Sequence, residues 1–289
     1  MNGVLLERPV AGALSRVQLA RARAAAARAG LAKCDLCGHH CGVNRLAGEP
    51  GGCQAGSDAR VFSAQVEVGD ELDLIPTYAI ALSGCDLRCD FCLTGESSWN
   101  SQAGERLRPD VLGQRAGAAL VDGARTVMIL GGEPTVHLPA ALEIVAAMPA
   151  AARLVWKTNS HGSAWAREWL DGLFDVWLAD YKFGNDRCAG RLAGIWDYGA
   201  IARENLLWAA DHAELIVRHL LMPGHLECCW RPVAEWLASE LPGVKVSLRP
   251  AFWPAWQADR HPELRQTLPP AESARALQLA EALGLNLIP

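Results

Sequence analysis

A chain of 289 residues, 51% hydrophobic and 20% charged, has the make-up of a globular protein, which excludes a disordered or fibrous one. With 27 Lys and Arg against 32 Asp and Glu, the net charge of -5 gives no basic footprint for a phosphate backbone, so no nucleic-acid partner is expected. No apolar run approaches the roughly 18 to 20 residues that cross a bilayer, so no membrane partner is expected, and ten cysteines without an export signal point to a reducing, cytoplasmic setting where thiols hold metals rather than disulfides.

Three zones follow in chain order. Residues 1–33 read as an N-terminal helical segment, whose Ala- and Arg-rich stretch 14–29 lacks the continuous apolar core of a secretory signal. Residues 34–60 are rich in Gly and Cys and poor in large apolar side chains; such a segment cannot build its own core, so a metal centre is expected to organise it. Residues 75–289 alternate between two textures. Short apolar runs at 77–83, 125–130, 153–158, 175–180, 214–220 and 243–248 predict strands. Stretches 109–121, 139–148, 164–173, 198–210 and 228–241 carry apolar residues at helical spacing, with Pro109 and Pro139 suited to a first helical turn. Strand and helix in alternation predict an α/β fold with a parallel sheet. Six units fall short of the eight of a closed barrel, so an open, partial (β/α)6 barrel is expected, with an outer helix over 271–283.

In such sheets the chemistry collects just past the carboxyl ends of the strands. Those positions hold Cys85, Gly131 to Pro134, Asn159, Asp180 to Lys182, Arg218 and Arg249, a set of small, polar or thiol side chains. Cys85, Cys89 and Cys92 lie on one loop after the first barrel strand. Three thiolates can wrap three irons of a [4Fe–4S] cluster and leave the fourth open to a ligand; the bland alternative is a zinc loop short of its fourth ligand. In the N-terminal module Cys34, Cys37, Cys41 and Cys53 supply four thiols, enough to close a structural zinc knuckle or an auxiliary [4Fe–4S] cluster completely. His39 and His40 are read as polar neighbours of that module.

The spacing C-x3-C-x2-C, with Phe91 before the last thiol, resembles the signature of the radical S-adenosylmethionine (SAM) enzymes. The resemblance implies a partial (β/α)6 radical SAM barrel whose cluster chelates SAM and splits it reductively to a 5′-deoxyadenosyl radical that abstracts hydrogen from a substrate. Gly131-Gly132-Glu133 resembles the motif that receives the SAM amino group in that superfamily, and glycines there would let backbone approach a ligand. Lys157-Thr158-Asn159, Asp180-Tyr181-Lys182 and Arg218 ahead of Pro223-Gly224 resemble the SAM-contacting strand ends of its activating-enzyme branch. That similarity implies cofactor-binding roles for Phe91, Gly131, Gly132, Glu133, Asn159, Asp180, Lys182 and Arg218. The run Cys41 to Cys53 resembles the N-terminal module of uncharacterised radical SAM proteins similar to the pyruvate formate-lyase activating enzyme. This implies a flavodoxin- or ferredoxin-type electron donor, and as substrate either a glycyl-radical enzyme or a small molecule or peptide. Leu93-Thr94 and Leu248-Arg249-Pro250 depart from that group's pattern at positions expected to face substrate.

The rival reading is a non-enzymatic zinc or electron-transfer protein, in which the Gly-Gly-Glu turn has no purpose. Cys188, expected in a loop, and Cys228 and Cys229, expected at a helix start, are read as small hydrophobes, and most of the eleven Trp as packing.

Overall fold

The computed structural model describes residues 14–69 and 71–289, so residues 1–13 of the expected helical segment lie outside the described residues. Among the described residues the strands are β1 (Arg60–Glu67), β2 (Thr77–Leu82), β3 (Glu105–Arg106), β4 (Thr126–Gly131), β5 (Leu154–Thr158), β6 (Val176–Asp180), β7 (Glu214–Leu220), β8 (Lys245–Arg249) and β9 (Asn286–Leu287). They form one open sheet in the order β3-β1-β2-β4-β5-β6-β7-β8-β9. From β2 to β9 every pairing is parallel, while β1 runs antiparallel to β2 and β3. The six expected strands are thus the parallel body of the sheet, which remains unclosed.

Helices α1 (Arg16–Ala29), α2 (Glu96–Trp99), α3 (Pro109–Val121), α4 (Leu138–Ala147), α5 (Ala164–Leu170), α6 (Asp186–Ala193), α7 (Tyr198–His212), α8 (Arg231–Glu240) and α9 (Pro270–Ala282) accompany them. Local chemistry sets several starts. Ser15 and Gln18 form a capping box on α1, Pro109 sits in the first turn of α3, and the Ser163 hydroxyl accepts from Ala166 N to cap α5. The α1 helix packs its small face, with Ala20 and Ala27 fully buried, against α4. Its arginines then reach neighbouring backbone: Arg16 Nη1 donates to Ala152 O at 2.9 Å and pairs with Asp175 at 2.7 Å.

The short α2, β3 and β9 go beyond the sequence expectation, as do β1 and α6. The β1 strand is half-exposed along most of its length, so its apolar residues carry no clear period. Cys188 lies in the first turn of α6 rather than in a loop, because Asn185 Oδ1 accepts from Cys188 N at 2.8 Å and caps a short helix.

Inside the curved sheet the side chains form two tiers. Met128, Val155, Val176, Leu178 and Ile216 make a small apolar cluster closed by Leu74. One step toward the carboxyl ends stand Asp180, Arg218 and Ser247, adjacent in register across β6, β7 and β8. An apolar plug below and charged groups above confine polar chemistry to one mouth of the sheet.

Candidate active site

The loop carrying Cys85, Cys89 and Cys92 springs from β2 at that mouth. Cys85 and Cys89 are buried and Cys92 is partly exposed. Backbone bonds from Arg88 N to Ala193 O (3.0 Å) and from Asp90 N to Leu192 O (2.9 Å) pin the loop to the end of α6. Burial pushes the Cys85 thiol well above its ordinary value, and it pushes Cys89 up to about 12 against the opposing pull of Lys182. Phe91 is buried beside them, edge-on to Phe183 with ring centres 6.1 Å apart.

Asp86, inside the same loop, organises its surroundings although nothing in the sequence singled it out. Its carboxylate accepts from Asn159 Nδ2 (2.7 Å) and from His161 Nδ1 (2.7 Å), while its carbonyl accepts from His39 Nε2 (2.8 Å). Burial opposes ionisation of both partners, but the Asp86–His161 contact outweighs it, lowering Asp86 and raising His161. The signs give a window. His161 contributes fully below about pH 6.5 and its share is lost as pH rises through its raised value; Asp86 contributes above about pH 3.9 and its share is lost as pH falls through its lowered value. In a histidine-resolved NMR titration, His161 should therefore hold its proton above the ordinary range in the native chain. It should fall in Asp86→Asn, where burial remains and only the more exposed Asp197, 3.7 Å from Nε2, still favours the charge; an unchanged titration would remove the ion pair from this account.

The Gly-Gly-Glu turn ends β4, and its glycines serve a packing need. A Cβ on Gly132 would stand 2.2 Å from Gly84 O, and one on Gly131 would stand 2.1 Å from Leu82 O. The turn is bonded to the cysteine loop's root, Gly132 N to Leu82 O and Glu133 N to Gly84 O, both at 2.9 Å. The Glu133 carboxylate turns inward and is 1% exposed as a residue. It accepts from Thr135 N (3.0 Å), Thr135 Oγ1 (2.5 Å), Thr158 Oγ1 (2.9 Å) and Asn159 N (2.7 Å). Burial and the neighbouring Asp86 carboxylate nevertheless raise it to about 7. Asn159 is equally engaged, its Oδ1 accepting from His161 N (2.9 Å) and its Nδ2 reaching Asp86 and, at 3.8 Å, Cys85 Sγ. The Asn159 side chain thus braces the cysteine loop, and the Glu133 carboxylate braces the backbone of Asn159.

Cations face the mouth from β6 and β7. Lys182 is paired with Asp180, and Arg218 Nε lies 3.5 Å from Glu71 Oε1. Burial acts against the charge of Asp180, but Lys182 and Arg218 overcome it and hold its carboxyl below the usual range. Burial likewise acts against Lys182, and Asp180 with Cys89 overcomes it and holds the ammonium above its usual range. Glu71 is fully buried and accepts from Ser247 Oγ at 2.8 Å, while its Oε2 has no hydrogen-bond partner. No motif announces Glu71. Tyr198, also unmarked by the sequence, ties strand ends together: its hydroxyl accepts from Lys182 N (2.9 Å) and faces the carbonyls of Asn159 and Asp180 (3.0 Å each).

The N-terminal cysteine module sits on the same mouth. Leu36 O accepts from Ser163 N (3.1 Å) and Gly38 N donates to His161 O (2.9 Å), docking it on the loop after β5. Arg45, 2% exposed, donates to Val136 O at 2.7 Å and to Gly56 O. Cys34, Cys37 and Cys53 are buried and Cys41 exposed. The four thiols line one small pocket with Arg45 and Val136 on its wall. His39 is spent on Asp86, and the exposed His40 pairs with Asp35 at 2.5 Å.

Comparison with known proteins bears on this arrangement. A family model described as the Radical SAM superfamily matches residues 80–237. An uncharacterized protein of Methanocaldococcus jannaschii is 30% identical over 262 residues, which is 88% of this chain and 76% of the relative. Among solved structures, SuiB of Streptococcus suis bound to S-adenosylmethionine superposes with a TM-score of 0.56 at 14% identity, over 70% of this chain and 47% of that one. The same protein bound to precursor peptide SuiA gives 0.54 at 14% identity, over 70% and 46%. The chain spans a little under half the length of SuiB, and at that identity the likeness concerns the fold alone.

Proposed function

The chain belongs to the radical SAM superfamily, and from that premise we propose that it is an enzyme in which Cys85, Cys89 and Cys92 hold a [4Fe–4S] cluster and the charged mouth of the sheet holds SAM. The observation that carries this reading is the donor set. Three thiols stand on one loop, Cys85 and Cys89 too buried to sit comfortably as lone thiolates, beside a tier of cations that suits a carboxylate. When bound, the cluster and SAM supply one-electron cleavage of a carbon–sulfur bond and hence hydrogen abstraction.

The protein's own contribution is placement. Lys182 and Arg218 are assigned to the SAM carboxylate, with Asp180 orienting Lys182. The Gly131-Gly132-Glu133 turn is assigned to the SAM ammonium: Glu133 Oε1 takes three of the carboxylate's four donors and Oε2 only one, which leaves Oε2 an acceptor position. Asn159 positions Cys85 through Asp86, and Phe91 closes the apolar side of the loop. Arg218→Ala is expected to weaken SAM binding by about thirtyfold or more, since truncating one partner of a buried charge pair costs at least about 2 kcal/mol. Isothermal titration calorimetry checks this, and an unchanged Kd removes Arg218 from the assignment.

At the N-terminal module the three thiols within eight residues, with Cys53 as the fourth, are read as the ligands of a second [4Fe–4S] cluster, with a structural zinc as the alternative. An activating-enzyme-like role toward a glycyl-radical partner, or direct modification of a small molecule or peptide, fits the strand-end residues, with a flavodoxin- or ferredoxin-type protein as electron donor. The reading as an enzyme is tested by incubating anaerobic protein with SAM and dithionite. Release of 5′-deoxyadenosine that Cys85→Ala abolishes supports it; equal release from both proteins, or none from either, contradicts it.

A further inference from the structure

A third set of metal-binding groups stands apart from both cysteine sites. Cys188 enters from the first turn of α6, and His225, Cys228 and Cys229 come from the turn after β7. All four ligand atoms lie within 4.8 Å of one another. Residues at i, i+3 and i+4 of a helical turn share one face, and this spacing puts His225, Cys228 and Cys229 side by side. Residues Leu226–Trp230 form a π-turn, with both Cys229 N (2.9 Å) and Trp230 N (3.2 Å) donating to His225 O.

The separations distinguish a single tetrahedral ion from a cluster. Zinc with Zn–S bonds of about 2.3 Å and a Zn–N bond of about 2.0–2.1 Å has tetrahedral edges of about 3.8 Å between sulfurs and about 3.6 Å between sulfur and nitrogen. Cys188 Sγ and Cys228 Sγ are 3.8 Å apart, and His225 Nδ1 is 3.3 Å from Cys228 Sγ and 3.5 Å from Cys229 Sγ. A cubane cluster puts each thiolate on a different iron and spreads its ligands further. Cys188, His225 and Cys229 are buried and Cys228 is partly exposed, so the four would close the coordination sphere.

We propose that Cys188, His225, Cys228 and Cys229 form a tetrahedral zinc site that staples α6 to the turn after β7. Supporting groups are in place. Asn185 Nδ2 donates to Cys228 O (2.5 Å) and lies 3.3 Å from Cys188 Sγ, and Gly184 packs so closely that a Cβ there would stand 2.4 Å from Cys229 O. With Nδ1 on the metal, His225 Nε2 carries the ring proton. It then releases the contact from Arg191 Nη2 (3.1 Å) and donates to Glu263 Oε1 (3.5 Å), as metal-bound imidazoles commonly do to carboxylates. The bracing continues to the iron-site loop: Arg191 pairs with Glu263 (2.6 Å) and contacts His261 (3.2 Å), whose Nε2 meets Asp90 (2.7 Å), the neighbour of Cys89. Binding releases the thiol protons to solvent and leaves every oxidation state unchanged.

The test uses the full-length protein purified anaerobically with all other cysteines intact. Zinc and iron are counted for the native chain and for Cys188→Ser/Cys228→Ser, and crystals of the native protein are measured either side of the zinc absorption edge. The expected result is a loss of one zinc per chain with iron unchanged, and an anomalous peak among the four residues. No such peak, a variant that keeps its full zinc, a loss of several irons, or a Cys188–Cys228 disulfide in the isolated protein would each overturn the site. The native-crystal measurement stands even if the variant fails to fold.

Discussion

Alanine at Cys85, Cys89 or Cys92 is expected to remove about four irons per chain and to lower SAM cleavage by roughly a thousandfold or more, about 4 kcal/mol at 1.36 kcal/mol per decade. The reason lies in the ligand arithmetic: three thiolates leave one iron free, and losing another ligand exposes a second iron and loosens the cluster. Iron analysis alongside 5′-deoxyadenosine release measures both effects. Alanine at Cys34 or Cys37 should leave the SAM-dependent signal in place while lowering total iron. Equal losses from either set would mean that the two cysteine groups act as a single site.

The second large effect is on stability. Asp86→Ala strips the carboxylate from a fully buried imidazole and from the Asn159 amide. Removing one partner of a buried pair costs about 3–5 kcal/mol, a large part of a domain's margin. The urea midpoint should fall accordingly, and the Cys85 loop should lose order, because Asn159 and His161 no longer share an anchor with it. Asp86→Asn keeps the shape but not the charge and should fall between the two. A midpoint unchanged in both variants would show that the network carries no stability.

The parallel core was legible because β4 to β7 are compact apolar runs separated by helical stretches, a pattern that open α/β sheets produce by burying both faces. The strand-end rule then led to Cys85, Glu133, Asn159, Asp180, Lys182 and Arg218. Their side-chain directions were not legible. Whether Glu133 faces a ligand or the interior depends on Thr135 and Thr158, which satisfy its carboxylate from two different segments. The half-exposed β1 carried no alternation to read, and Glu71 sits in an irregular stretch before β2. Cys188 and His225 belong to separate crossovers, so only the fold brings them together.

The most direct measurement is the EPR spectrum of the anaerobically reduced protein with and without SAM, for the native chain and Cys85→Ala. A reduced [4Fe–4S] signal that shifts on adding SAM, with the shift lost in Cys85→Ala, is the predicted result. Zinc in place of iron at Cys85, Cys89 and Cys92, with no SAM-dependent signal, would contradict the reading and leave a metal-braced barrel without radical chemistry.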